Sequence, residues 1–215
     1  MEENFIVAIN LKTYKFGEDV LKLAIAIQKV SQKIILGVSP TDISFISRAT
    51  NLKVYSQHVD YFEPGRNTGF IIPESVKSMG AVGTFLNHSE HKIKFFELKK
   101  TIERCKKVGL KTFVFSGSIF EAKKIEKLKP DYLVYEPPEL VAGKISVSTG
   151  KPDIIAKICK EIKMPIIVGA GIKDYSDVKK SIELGAKGIA VSSAITLSKN
   201  PERELMKILG IRKKE

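Results

Sequence analysis

The chain has no stretch of about eighteen consecutive apolar residues, which excludes a membrane-spanning helix, and Met1–Lys12 carries two acids and too short an apolar run for a secretion signal. It has two cysteines, Cys105 and Cys159, each in a helix-like, lysine-rich segment, so a disulfide framework has no support and a reducing, cytoplasmic compartment is expected. Three scattered histidines and those two cysteines form no compact set with zinc-like spacing, so no metal is expected. What is present is a balanced composition: 43% hydrophobic and 28% charged residues, with a mean hydropathy of −0.03. That excludes both a disordered polymer and a membrane bundle. One globular domain over 1–215 is expected, because α/β folds commonly reach about 200–250 residues undivided.

Lys and Arg number 36 against 24 Asp and Glu, giving a net charge of +12. The bases are spread over many segments and interleaved with apolar and acidic positions, as in Lys99, Lys100, Arg104, Lys106 and Lys107. This distribution reads as solvated helix faces, with neither nucleic acid nor membrane as a partner.

Short apolar runs alternate with longer amphipathic stretches along the whole chain. The expected strands are Phe5–Ile9, Ile34–Val38, Val54–Gln57, Gly83–Leu86, Thr112–Phe115, Tyr132–Tyr135, Pro165–Gly169 and Gly188–Val191. The expected helices are Asp19–Lys29, Asp42–Ala49, Pro73–Met79, Leu98–Val108, Phe120–Leu128, Pro152–Ile162, Ser176–Leu184 and Pro201–Leu209. Asn200 is placed to cap the last helix with Pro201 at its first position, and Gly80, Gly109 and Gly185 stand as C-terminal stops. Eight alternating units with near-continuously apolar strands favour a single parallel eight-stranded (β/α)8 barrel over a doubly wound sheet. Working residues then belong on the loops that follow the strands.

Past the first strand, Asn10 and Lys12 fall on one side of an extended chain, either as solvated loop residues or as a positive charge for an anionic substrate. Past the fourth, His88 is followed by Ser89 and Glu90, which look like the opening of a helix whose positive end disfavours imidazolium; the other reading is a satisfied loop histidine. His58 and His91 read as structural or surface residues. Past the sixth, Glu136 ends an apolar strand in a carboxylate, costly there unless paired with a rim lysine or used as a general base. Pro137-Pro138 stiffens a loop that runs through Ala142-Gly143-Lys144 to Ser148, a pattern suited to a hinged lid. Past the seventh and eighth, Gly169-Ala170-Gly171 and Ser192-Ser193-Ala194 are either turns or two arms of a backbone phosphate site.

Together, Ile9-Asn10-Leu11-Lys12, Gln57-His58-Val59-Asp60, Asn87-His88-Ser89-Glu90, Tyr135-Glu136-Pro137-Pro138-Glu139-Leu140 and Gly169-Ala170-Gly171-Ile172 resemble the triosephosphate isomerase family, of the shorter archaeal type, over nearly the whole chain. The resemblance implies interconversion of glyceraldehyde 3-phosphate and dihydroxyacetone phosphate through an enediolate, with no cofactor. It makes Glu136 the base, His88 the neutral electrophile, Lys12 the cation that favours the developing oxyanion, Asn10 a neighbouring polar contact and Glu90 the partner that orients the lysine. It assigns phosphate contacts near Val141, at Gly171, and at Ser192 and Ser193, and makes the loop from Pro137 a lid. The segment Glu63–Gly69 resembles the loop by which one subunit of the family buttresses another's site, implying a homo-oligomer, a tetramer in preference to a dimer. The chain departs from the family pattern at Ala142-Gly143-Lys144, usually Gly-Thr-Gly, at His91-Lys92, usually an Arg pair, and at Ser192, usually Gly or Ala. The competing reading is a phosphate-binding barrel with another substrate or no catalysis.

Overall fold

The computed structural model describes residues 5–137, 152–169 and 171–211. Eight strands are present: β1 (Ile6–Asn10), β2 (Ile35–Val38), β3 (Lys53–Ser56), β4 (Gly83–Leu86), β5 (Lys111–Ser116), β6 (Tyr132–Tyr135), β7 (Ile166–Gly169) and β8 (Gly188–Val191). Between and after them lie α1 (Glu18–Val30), α2 (Ile43–Ala49), α3 (Pro73–Ser78), α4 (Phe95–Val108), α5 (Ile119–Glu126), α6 (Pro152–Glu161), α7 (Tyr175–Glu183), α8 (Ser193–Thr196) and α9 (Pro201–Leu209). Each strand pairs in parallel with the next, and β8 returns to β1 with Ile6 against Gly188 and Ile9 against Val191, closing the expected barrel.

The strand alternation sorts the apolar residues into two cores. Outward-facing Val7, Ile9, Leu36, Val54, Leu133 and Ile189 join the buried stripes of the helices, such as Val20, Leu23, Ala24 and Ile27 of α1, in one continuous layer. Inward-facing Ala8, Ile35, Tyr55, Phe85, Phe113, Phe115, Val134, Ile167 and Ala190 fill the barrel. Large and small residues interlock there: a Cβ on Gly37 would run into the Phe85 ring, and one on Gly83 into the Tyr55 ring. Aromatic edges complete the plug, with Tyr55 and Phe113 rings 5.3 Å apart and Phe85 and Phe115 rings 5.5 Å apart.

The helix punctuation follows the sequence. Asn200 Oδ1 accepts from the Arg203 N–H at the start of α9, and Gly80, Gly109 and Gly185 have φ of 103°, 74° and 98°. Beyond shifts of one or two residues at helix ends and the additional short helix α8, two helix starts differ from expectation. A 3-10 turn at Pro40–Asp42 leads into α2, and α4 begins at Phe95 rather than Leu98 because its first residues, Phe95 and Phe96, are about half exposed and break the amphipathic pattern. The lysines of α4 and α5 are exposed, as expected of solvated faces, while Arg104 is tucked against Glu74 and Glu63. Both cysteines are free, and burial pushes the Cys105 thiol up to about 12 and the Cys159 thiol up to about 11. Among the described residues no helix is long and apolar enough to cross a membrane.

Candidate active site

The inward phase of the strands delivers the site. Ala8 of β1 leads to Asn10, Tyr55 of β3 to Gln57, and Val134 of β6 to Glu136, each two residues on and so on the same face. At β4 the simple alternation would aim Asn87 inward after Phe85. Instead Asn87 takes φ of 61°, a left-handed conformation, and the phase resets: His88 faces the barrel mouth, while Asn87 lines a groove between α4 and α5. Lys12 likewise sits at φ of 49° beyond β1.

On this side of the mouth the polar groups are tied together. Asn10 Oδ1 accepts from the Lys12 N–H at 3.0 Å and from Gln57 Nε2 at 3.2 Å, and Gln57 Nε2 also reaches the Lys12 carbonyl at 2.9 Å. The Lys12 ammonium, 15% exposed, meets Glu90 Oε1 at 2.5 Å. Ser89 and Glu90 do not open a helix as expected; they form a turn closed by the His91 N–H on the His88 carbonyl, and α4 starts further on. Within that turn the Glu90 N–H donates to His88 Nδ1 at 3.1 Å. A nitrogen that accepts carries no proton, so the ring is the neutral tautomer with its proton on Nε2. The Phe115 ring braces the imidazole edge-on at 4.7 Å.

Glu136 comes from the opposite side. Its Oε2 lies 3.1 Å from His88 Nε2, off the line of a hydrogen bond, and is buried without a hydrogen-bond partner. At Gly169 on β7 a Cβ would crowd Val134 Cγ1 at 3.1 Å while only touching Glu136 Oε1 at 3.5 Å, so the close fit there is with the barrel plug. Beyond β7, Gly171 has φ of 64°; beyond β8, Ser192 turns into the short helix α8, which begins at Ser193. Periodicity could not reveal a helix of four residues.

A cavity of about 270 Å³ gathers seven of the expected residues: Asn10, Lys12, His88, Glu136, Gly171, Ser192 and Ser193. Glu90 lies outside it and reaches it through Lys12. Val141 and the expected lid, including Ala142-Gly143-Lys144, lie outside the described residues. Tyr14, Phe115 and Lys173 are among the lining residues that were given no site role in the sequence. Gln57 was given none either; its place two residues past inward-facing Tyr55 was the available signal. His58 and His91 stack at 4.4 Å beside the Lys12–Glu90 pair, lining a second cavity with His88. Burial holds His58 below the ordinary histidine value, with His91 adding to the shift and Asp60 opposing it. Among the described residues no cluster of His, Cys, Asp and Glu could hold a metal ion.

The model of the triosephosphate isomerase family matches residues 5–210. The chain belongs to that family. It is 36% identical to the triosephosphate isomerase of Methanocaldococcus jannaschii, over 95% of this chain and all of the relative. It is 40% identical to that of Sulfurisphaera tokodaii, over 92% of this chain and 91% of the relative, and 36% identical to that of Methanobacterium bryantii, over 98% of each. At His91-Lys92, where a departure from the family pattern was expected, Lys92 pairs with Glu121 at 2.8 Å.

Proposed function

We infer that the chain interconverts glyceraldehyde 3-phosphate and dihydroxyacetone phosphate, and that one observation carries the chemistry: a buried, unpartnered carboxylate oxygen of Glu136 facing the Nε2 of a neutral His88 at 3.1 Å. Glu136 takes the proton from the carbon beside the substrate carbonyl, and the electron pair moves onto the carbonyl oxygen. His88 donates its Nε2 proton to that oxygen and recovers one from the neighbouring hydroxyl; Glu136 then returns its proton to the adjacent carbon. Neutral imidazole suits this exchange because it can both give and take a proton at one point. Lys12 supplies positive charge for the anionic substrate and the enediolate, Asn10 is a polar contact beside it, and Glu90 orients the lysine. Preorganised donors of this kind supply much of the stabilisation. Gly171, Ser192, Ser193 and Val141 form the phosphate set.

We also infer a cytoplasmic, single-domain protein that self-associates, as a tetramer in preference to a dimer. Two groups of aromatics, exposed except for half-buried Phe62, support this. Phe62 and Phe70 pack on each other in the segment that leaves at Asp60 and returns at Ile71, with Phe96 near it through Lys100, while Phe95 and Phe120 flank the groove between α4 and α5. A closed dimer needs one self-complementary surface; a tetramer of dihedral symmetry needs two.

A coupled assay of triose-phosphate isomerisation tests the chemistry, with wild type beside folded Glu136→Gln. The variant should lose about 10²–10⁴-fold in kcat with little change in KM, the range of general-base catalysis. An inactive wild type that still binds a triose-phosphate analogue would move the assignment to a phosphate-binding barrel with another substrate or none.

A further inference from the structure

We propose that Glu121, on α5, acts through Asn87 as a positioning residue for the His88 imidazole, an inference that rests on the role given to His88 above. Asn87 is 3% exposed, and its side chain is fully engaged outside the barrel. Its Nδ2 donates to the Phe115 carbonyl at 2.9 Å and to Glu121 Oε1 at 2.9 Å, while its Oδ1 accepts from the Ile93 N–H at 3.2 Å. Glu121 is itself pinned: Oε2 accepts from the Gly117 N–H at 2.9 Å, and Lys92 Nζ touches Oε1 and Oε2 at 2.8 and 3.0 Å. Desolvation pushes this carboxyl up, but the bonds from Lys92, Gly117 and Asn87 outweigh it, so the group stays charged and accepting.

The consequence for His88 follows from strand phase. A left-handed asparagine costs free energy relative to extended chain, and the reward for reverting would be to place Asn87 in the barrel mouth and turn His88 away. The three bonds to the asparagine side chain oppose that reversion. Two of their partners are backbone groups, so Glu121 is the one member held by a side chain from another element, and it couples α5 to the proton-transfer site.

The test is a coupling measurement. Glu121→Ala should lower kcat about tenfold with KM changed less than about threefold, since small displacements of a reacting group are costly. Asn87→Ala, which can neither hold the bonds nor tolerate the positive φ, should lose more, about 30–100-fold. Asn87→Gly restores the backbone freedom and should recover to within about fivefold of wild type. In that glycine background Glu121→Ala should cost less than about twofold, because its route to His88 is gone. A structural role alone would lower thermal stability and leave these ratios flat. The nitrogen-15 resonance of His88 Nδ1, isolated by replacing the chain's two other histidines, reads position without turnover. It should report an accepted hydrogen bond in wild type and its loss in Glu121→Ala. An unchanged Nδ1 resonance with unchanged kcat in Glu121→Ala overturns the inference, as does an equal cost of that change in the wild-type and glycine backgrounds. Should wild type itself fail to isomerise triose phosphates, the function falls, while the Nδ1 resonance still decides whether Glu121 positions the ring.

Discussion

Along the β1, β3 and β4 side of the mouth, the expected polar side chains are tied down before any substrate arrives: Lys12 to Glu90, Asn10 to Gln57, and the His88 ring to the Glu90 backbone amide. Along the β7 and β8 side the wall includes Gly171, Ser192 and Ser193, short residues that offer main chain, beside Ile172 and the long side chain of Lys173, and the Ser192 hydroxyl is buried with no partner. With the roles proposed above, the difference matches what each side would handle. A charge or proton must act at one point on one atom, so the long side chain that carries it has to be immobilised in advance. A phosphate presents several equivalent oxygens and can be taken by backbone, which has little freedom left to lose.

Of these two sides, removing charge from the tied one should have the larger effect. Lys12→Met keeps the bulk of the side chain and should lower kcat/KM about 10²–10³-fold in the coupled assay, the range for loss of one electrostatic donor. A loss under tenfold would shift the charge to Lys173, the other ammonium at the cavity. On the backbone side the effect should be smaller and of a different kind. Gly171→Ala places a side chain at φ of 64°, a strain of about 1–2 kcal/mol, and should raise KM about tenfold while kcat stays within about threefold. An equal fall in kcat would erase the contrast between the two sides.

Acid should act more gently, and on the tied side first. His58 is held below its ordinary value of 6.5 in the folded state, so the unfolded chain binds the proton more readily, and stability present above that value is lost as pH falls through the lowered folded one. Glu121, held below 4.5, adds a second loss at still lower pH by the same sign. Thermal midpoints followed by circular dichroism should therefore fall in two steps on acidification, and His58→Gln should abolish the first. A single step common to wild type and His58→Gln would show that His58 does not report on the fold.

Much of this arrangement was legible because the strands announce themselves. Gly83–Leu86, Tyr132–Tyr135 and Gly188–Val191 are apolar runs bounded by turn residues, and Asn10, Lys12, His88 and Glu136 each follow an expected strand within three residues. What escaped is of two kinds. The helix α8 has four residues, too few to show a period, and the start of α4 is masked by exposed phenylalanines. Gln57 and Asn87 make contacts with residues distant in sequence, Asn87 also takes a positive φ, and Lys173 reaches the cavity only once the barrel closes around it; none of these is written in local composition. His88 illustrates both: its place past a buried strand was readable, but its neutrality comes from a turn amide rather than the expected helix end.

The seam between β1 and β8 has a kinetic meaning. It joins the two extremes of the chain, Ile6 against Gly188, and contacts so distant in sequence carry the greatest loop-closure cost in folding. Lys12 stands just past one edge of that seam, with Ser192 and Ser193 just past the other. A chain whose last strand has not yet docked can hold its helices and most of its sheet while the ammonium has no wall to face. Regained turnover thus reports ring closure, whereas regained helical signal reports only that the parts have formed.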